Sequence, residues 1–310
     1  MIFTSVVPPE FRKAAGLIDY LAGRFTYLDR EGWRARVAEG KVACNGQIAE
    51  TDDTVAAGDT VSYDAGEFEE PAADLSYRIV YEDEWLLGID KPGNLLVHRA
   101  GRSFRNNLIY QLRYVHVPPY HLAHTVHRLD RGTSGVVCVA KNAGVGATLA
   151  GEFAAGTVQK VYQAVVHGVP AVQEIDYRIG RPAGSAISYK HSVDPAGKSA
   201  RTRIVASRPV GRSYALVTVE PLTGRTHQIR IHLAAVGSPV VGDMLYGLSE
   251  KEYLAWRENP LQTAPAGLFR RHALHCASLT FTHPHTKNEC RMEAEMPSDM
   301  KELIEKLKRV

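Results

Sequence analysis

Apolar and polar positions change their period along the chain in a way that separates two regions. Over 17–25 and 29–38 apolar side chains recur at helical spacing, 41–48 reads as two short strands about an Asn45-Gly46 turn, and 58–63 reads as a closing strand. Residues 64–74 then hold five acids, no bases, Gly66 and Pro71, which is the composition of a linker. From residue 75 strand patterns dominate, at 78–81, 86–91, 135–140, 161–167, 202–206 and 214–220, with helical stretches at 147–155 and 226–236. There is no regular strand–helix alternation and no long-period repeat. The pattern therefore predicts an α+β fold: a small α/β module over 1–74, then a domain over 75–310 built on a mixed, mostly antiparallel sheet with flanking helices.

Composition narrows the picture without redirecting it. With 310 residues, 45% hydrophobic and 23% charged, the chain can bury a sizeable core, which excludes disordered and fibrous classes. No apolar run approaches a membrane span, and residues 1–10 lack a basic-then-apolar leader pattern, so a cytoplasmic protein without a membrane partner is expected. The four cysteines lack close spacing and suggest neither a disulfide scaffold nor a cysteine zinc site. Charge is divided unequally. Residues 1–74 hold 7 Lys/Arg against 14 Asp/Glu, a net −7, while the other 236 residues hold 30 and 20, a net +10. An anionic partner is expected to meet the second region.

Three segments carry candidate chemistry. In His127-Arg-Leu-Asp-Arg-Gly-Thr-Ser-Gly135, an extended backbone would put Arg128 and Asp130 on one side and His127 and Leu129 on the other, beside a tight turn. In Leu222-Thr-Gly-Arg-Thr-His-Gln-Ile-Arg-Ile-His-Leu-Ala-Ala-Val-Gly237, Ile229, Leu233 and Val236 mark an amphipathic helix, with Thr226 as its expected N-cap. Arg225 precedes that helix, a place suited to a carboxylate or to an RNA phosphate. In Gln159-Lys-Val-Tyr-Gln-Ala-Val-Val-His-Gly168, Tyr162 projects to the opposite face from Val161 and Gln163. His121, His124 and His127 do not converge on one point as either a strand or a helix, so no metal is expected there. Gly144-Val-Gly146 lacks the third glycine of a dinucleotide fingerprint.

Together these segments resemble the RluA-type family of RNA pseudouridine synthases, through "H-R-L-D-R-x-T-S-G", "K-x-Y-x-A-x-V-x-G" and "G-R-T-H-Q-I-R-x-H-L". Lys198-Ser-Ala-Arg-Thr202, Gly242-Asp-Met-Leu-Tyr-Gly247 and Leu274-His-Cys-Ala-Ser-Leu-Thr-Phe-Thr-His-Pro284 extend the likeness over 76–297, and treat the last segment as a closing strand near the RNA groove. Cys276 stands where the family more often has alanine, and 251–271 aligns with no familiar element. Residues Gly40, Val42, Asn45, Gly46, Gly58, Asp59 and Val61 resemble a small RNA-binding module named after a small-subunit ribosomal protein.

The resemblance implies isomerisation of specific uridines in structured RNA, ribosomal before transfer RNA, without cofactor or metal. It implies Asp130 as the catalytic carboxylate, Arg225 as its ion-pair partner, and Tyr162 as packed against the target base and a candidate for moving a proton from the sugar, provided its pKa is tuned. Arg128 would fill the gap left by the extruded uridine. Further RNA contacts are expected from His127, Arg131, Arg201 and Arg230, and from Arg34 and Lys41 within a basic cluster of the small module. Arg99, Arg102, Arg105, Arg203, Arg208, Arg212, Arg270 and Arg271 are candidates for phosphate contacts. A monomer with no obligate protein partner is implied. The rival readings are a noncatalytic RNA-binding or ribosome-assembly protein on this scaffold, and a glycoside hydrolase. The latter is disfavoured because glycosidases use paired carboxylates.

Overall fold

The computed structural model describes residues 2–9, 11, 15–25, 28–66, 69–182, 184–258 and 269–309. The chain divides into two compact units, Met1–Pro71 and Ala72–Val310. In the first, the Leu17–Arg24 and Arg30–Ala38 helices accompany a four-stranded antiparallel sheet ordered Ile2–Val6, Thr60–Asp64, Val42–Cys44, Gln47–Ile48. Leu17, Tyr20, Leu21, Trp33, Val37, Val42 and Val61 form its core. The Asn45-Gly46 turn has positive φ at both residues, as a tight hairpin demands. Asn45 also donates to Asp59 Oδ1 (2.9 Å) and accepts from Thr60 N (2.8 Å), so two of the residues carrying the module's resemblance brace each other. The Ile2–Val6 strand was not expected from the sequence; it completes the sheet by pairing with Thr60–Asp64.

The second unit is organised by a ten-stranded sheet. Its main path runs Glu174–Asp176, Arg201–Val210, Tyr214–Pro221, Gln159–His167, Leu274–Thr282, Ser134–Ala140, Leu86–Lys91, Arg78–Glu82. Glu289–Glu293 pairs with Leu274–Thr282, and His124–Thr125 pairs with Ser134–Ala140. Every pairing in this sheet is antiparallel except one: Ser134–Ala140 runs parallel to Leu274–Thr282, with Ser134 opposite His275 and Gly135 opposite Cys276. The expected mixed sheet is present, and the parallel junction supplies the mixing. The Ala143–Ala155 helix begins four residues earlier than the pattern predicts, capped by the Asn142 side chain on Val145 N (2.9 Å). The Glu289–Glu293 strand and the Ser298–Leu307 helix were not expected. Of the unaligned 251–271 stretch, Glu250–Glu258 is helical and 259–268 lie outside the described residues.

Residue 135 has to be glycine at the parallel junction. Its φ is +108°, and a Cβ there would stand 2.1 Å from the Cys276 carbonyl oxygen. Gly135→Ala is expected to cost on the order of 3 kcal/mol through strain and backbone displacement, read as a lowered urea midpoint with unchanged slope.

Candidate active site

Asp130 lies at the end of the 126–130 segment, just before the turn that enters the Ser134–Ala140 strand, where Thr133 N donates to Asp130 O (3.1 Å). Leu129 is buried in the core, Arg128 is exposed, and the Asp130 carboxylate lines two cavities. The loop behind the acid is gripped at successive residues. Buried Lys91 donates to the carbonyls of Leu95 (2.9 Å) and Arg131 (3.4 Å), and Arg271 Nη1 donates to the Gly132 carbonyl (2.8 Å). His272 Nε2 meets Thr133 Oγ1 (2.8 Å), and His275 Nδ1 meets Ser134 Oγ (3.0 Å). Gly132 is needed for that grip, because a Cβ would stand 2.7 Å from the His272 ring. Arg271 is itself held by a bidentate pair with Asp299 of the Ser298–Leu307 helix (2.8 and 2.9 Å).

The guanidinium on Asp130 belongs to Arg230, not to Arg225. Arg230 Nη1 donates to Asp130 Oδ2 (2.9 Å), while its Nε and Nη2 form a fork on Asp243 (2.6 and 2.8 Å). Arg225 is exposed and donates from Nε to the Ser199 carbonyl (2.9 Å). The cause lies in how the helix starts. It runs Gln228–Ala235, with His227 rather than Thr226 at the N-cap place, in the left-handed region at φ 57°. The Gln228 side chain turns back, accepting from Arg225 N (3.0 Å) and Thr223 Oγ1 (2.7 Å) and donating to Arg201 O (2.8 Å). Arg225 therefore stays in the approach to the helix, and Arg230, within the first turn, faces the acid. Arg230 is buried, so its expected RNA contact is replaced by this double ion pair.

His227 and Tyr246 complete the surroundings. His227 Nε2 lies 3.7 Å from Asp130 Oδ1, and its Nδ1 meets the Tyr246 hydroxyl at 2.8 Å. Asp243 accepts from Leu245 N and Tyr246 N (3.1 and 3.2 Å), capping the short helix that places Tyr246. Burial opposes ionisation of Asp130, but His227, Arg230 and His272 outweigh it and hold the carboxyl at about 2. Burial pushes His227 down to about 4 and His272 to about 3, so both rings are neutral at pH 7 and Arg230 carries the balancing charge.

Asp130, Tyr162 and Arg225 line one cavity of about 390 Å³, together with His127, Arg128, Phe153, Lys160 and His227. The register skips Ala277 of the partner strand between the Val161–Ser278 and Tyr162–Cys276 pairs, so Gln159–His167 keeps its alternation there and Tyr162 lines the cavity. Burial first, then Cys276 and Asp130, raise the Tyr162 phenol well above its ordinary value, so it stays protonated at neutral pH. His127 stacks on Phe153 (4.4 Å between centroids), and its Nε2 accepts from Cys138 N (2.9 Å). Burial pushes its ring down to about 3, which makes it a neutral wall of the cavity rather than a phosphate contact.

Several of the other expected RNA contacts already hold protein partners. Arg131 donates to Ala72 O (2.8 Å), Arg201 pairs with Glu174 (2.8 Å), and Lys41 pairs with Glu39 (2.8 Å). Arg271 is turned inward onto the loop. Arg128 and Arg34 are exposed and make no hydrogen bond or ion pair among the described residues. Among the described residues no group of three or more His, Cys, Asp or Glu could hold a metal ion, and no helix is long and apolar enough to cross a membrane.

The comparisons agree with this geometry. Residues 86–235 match the family model described as RNA pseudouridylate synthase. A ribosomal large subunit pseudouridine synthase D of Zymomonas mobilis is 34% identical, over 76% of this chain and 74% of that protein. The chain belongs to the RNA pseudouridine synthase family. A synthase D of Pseudomonas aeruginosa is also 34% identical, over 89% of this chain and 86% of its own length. The uncharacterized RNA pseudouridine synthase YlyB of Bacillus subtilis is 31% identical over 98% of both chains. Human RNA Pseudouridylate Synthase Domain Containing 1 shares the fold, with a TM-score of 0.54 at 24% identity over 78% of this chain and 98% of that one. As an RNA pseudouridine synthase the protein is an isomerase, and its α+β architecture is that of the family.

The Arg230 clamp sets a stability expectation. Arg230→Met leaves the buried Asp243 and the partly buried Asp130 without their shared cation and is expected to cost about 3–5 kcal/mol, whereas Arg225→Met should cost under about 1 kcal/mol. The pH dependence has a definite sign. The folded Asp130 carboxyl lies below its ordinary value, so its contribution is complete above about pH 4 and is lost as pH falls towards about 2. Subtracting the Asp130→Asn unfolding free energy from that of wild type across this range measures it.

Proposed function

We propose that this synthase converts specific uridines of structured RNA to pseudouridine, in ribosomal before transfer RNA, using the Asp130 carboxylate on a uridine drawn out of its stack. The observation that carries the reading is a carboxylate held ionised by Arg230 on the wall of the cavity that Tyr162 also lines. A volume of about 390 Å³ is in the range of small-ligand sites, which suits a single extruded nucleotide. There Asp130 either attacks the ribose anomeric carbon or balances the positive charge that develops as the glycosidic bond breaks. Tyr162, a protonated phenol on the same wall, gives the base a surface to pack on.

Arg128 and Arg225 border the same cavity and are exposed, which supports roles at the RNA backbone and in the gap left by the uridine. The ribosomal preference rests on relatives named for the large ribosomal subunit. We assign residues 1–74 to a separate module that tunes RNA affinity. Its Arg30, Arg36 and Lys41 are paired with acids, whereas Arg34 makes no such pair among the described residues.

Two experiments test the reading. Pseudouridine mapping in total RNA from cells with and without the protein is expected to show sites lost from ribosomal RNA, and complementation with Asp130→Asn should restore none of them while the variant still folds and binds RNA. Turnover by that variant, or loss of sites from transfer RNA alone, would contradict the corresponding part. Deleting residues 1–74 should weaken RNA binding and flatten its dependence on salt while leaving the single-turnover rate at saturation within about threefold. An unchanged affinity and site profile would remove the module from the mechanism.

A further inference from the structure

Lys160 is the one cation of the smaller cavity that the reading above leaves without work. It sits two residues before Tyr162 in the Gln159–His167 strand, so both project to the same face, and both line the cavity. The residue is only 8% exposed, yet among the described residues its ammonium has neither a hydrogen bond nor an ion pair. The other buried cations of the unit are satisfied: Lys91 by backbone carbonyls, and Arg230 by two carboxylates. Among the described residues no fully buried side-chain nitrogen lacks a partner, so the stem is packed while the ammonium opens on the cavity, where a bound group can supply its acceptor.

Its location indicates which group that is. The side chains that feel the Lys160 charge are His127 and Cys276, whereas the Asp130 carboxylate is surrounded by His227, Arg230 and His272. A nucleotide with its sugar at Asp130 and its base along Tyr162 would present the edge farthest from the sugar to Lys160.

We propose that Lys160 is a catalytic residue that holds the detached uracil, donating to the carbonyl oxygen opposite the sugar and stabilising the negative charge on the base. This rests on the function proposed above and deepens it. When the N1–C1′ bond breaks, its electron pair passes to the base, where the charge spreads over N1, O2 and O4. The ring then turns, C5 bonds to C1′, the C5 proton leaves, and N1 takes up a proton, so the product is an isomer of the substrate. In uracil the atom across the ring from N1 is C4, and the atom across from C5 is C2. Both bear a carbonyl, so the ammonium meets an oxygen before and after the turn and need not give up its own proton. Cytosine places an amino group at C4 and would set donor against donor, which also selects uracil. An ammonium facing developing charge in a water-poor site is the arrangement that lowers a barrier of this kind.

The test uses the full chain and large-subunit ribosomal RNA transcribed in vitro. Lys160→Met is expected to keep or raise the thermal midpoint, because a charge on a largely buried side chain without an ion pair is removed, and to leave the RNA Kd within about threefold. Its single-turnover rate should fall on the order of 100-fold, the effect of losing one charge-stabilising donor, with Lys160→Arg retaining more. RNA carrying 5-fluorouridine, whose fluorine already stabilises the base anion, should shrink the Lys160→Met defect in consumption of that nucleotide by about tenfold. If wild type fails to isomerise the unmodified RNA, the proposed function itself is at fault. If wild type turns over and Lys160→Met matches it, only the Lys160 assignment falls. A midpoint that drops along with the rate, or a defect equal on both RNAs, would mark Lys160 as structural and overturn the proposal.

Discussion

One guanidinium shared between two carboxylates governs the rest of the site. Arg230 reaches Asp130 with one nitrogen and grips Asp243 with two others, so the acid at the cavity wall and the acid that caps the Met244–Gly247 helix are fixed by the same group. That helix places Tyr246, whose hydroxyl sets the His227 ring, and His227 closes the far side of Asp130. With His227 and His272 neutral, the carboxylate keeps a single strong counter-charge. A buried arrangement of this kind contributes little net stability but makes the loss of any member severe. Its gain is definition: the acid is ionised and pointed by the fold itself.

Such definition needs a rigid backbone behind the acid, and the loop from 131 to 134 supplies it through side chains of distant elements. Lys91 comes from the end of the Leu86–Lys91 strand, while Arg271, His272 and His275 come from the start of Leu274–Thr282 and the residues before it. Glycine at 132 lets the His272 ring approach, and glycine at 135 lets the Cys276 backbone do so. The positions that look like turn punctuation in the sequence are thus sites of close packing, where Lys91 donates to main-chain oxygens and Arg271 bridges the Gly132 carbonyl to Asp299.

Much of the architecture was legible because strands buried on one or both faces announce themselves: 86–91 and 214–220 were read almost to the residue. The Ile2–Val6 strand was missed because an edge strand of alternating partial exposure carries little apolar signal, and Glu289–Glu293 because it is short and charged at alternate positions. At the candidate site, Asp130 and Tyr162 were singled out by their motifs, and the fold brings both to one cavity. Arg225 was misassigned for a physical reason: an arginine ahead of a helix is the natural partner of an anion, but Gln228 folds back to occupy that approach and delays the helix by two residues. Had the three-residue spacing from His227 been weighed as one helical face, Arg230 would have been the candidate. The roles of Asp243 and His272 had no such signal, since only tertiary folding brings them near residue 130.

The parallel junction between Ser134–Ala140 and Leu274–Thr282 carries a consequence for how the protein is made. The two partners lie some 140 positions apart in the chain, so the acid is synthesised long before the residues that grip its loop. Parallel, sequence-distant pairings form late. A growing chain on the ribosome therefore carries residue 130 on an ungripped loop until the Arg271–His275 stretch has emerged, which couples the fixing of that acid to near-completion of the fold.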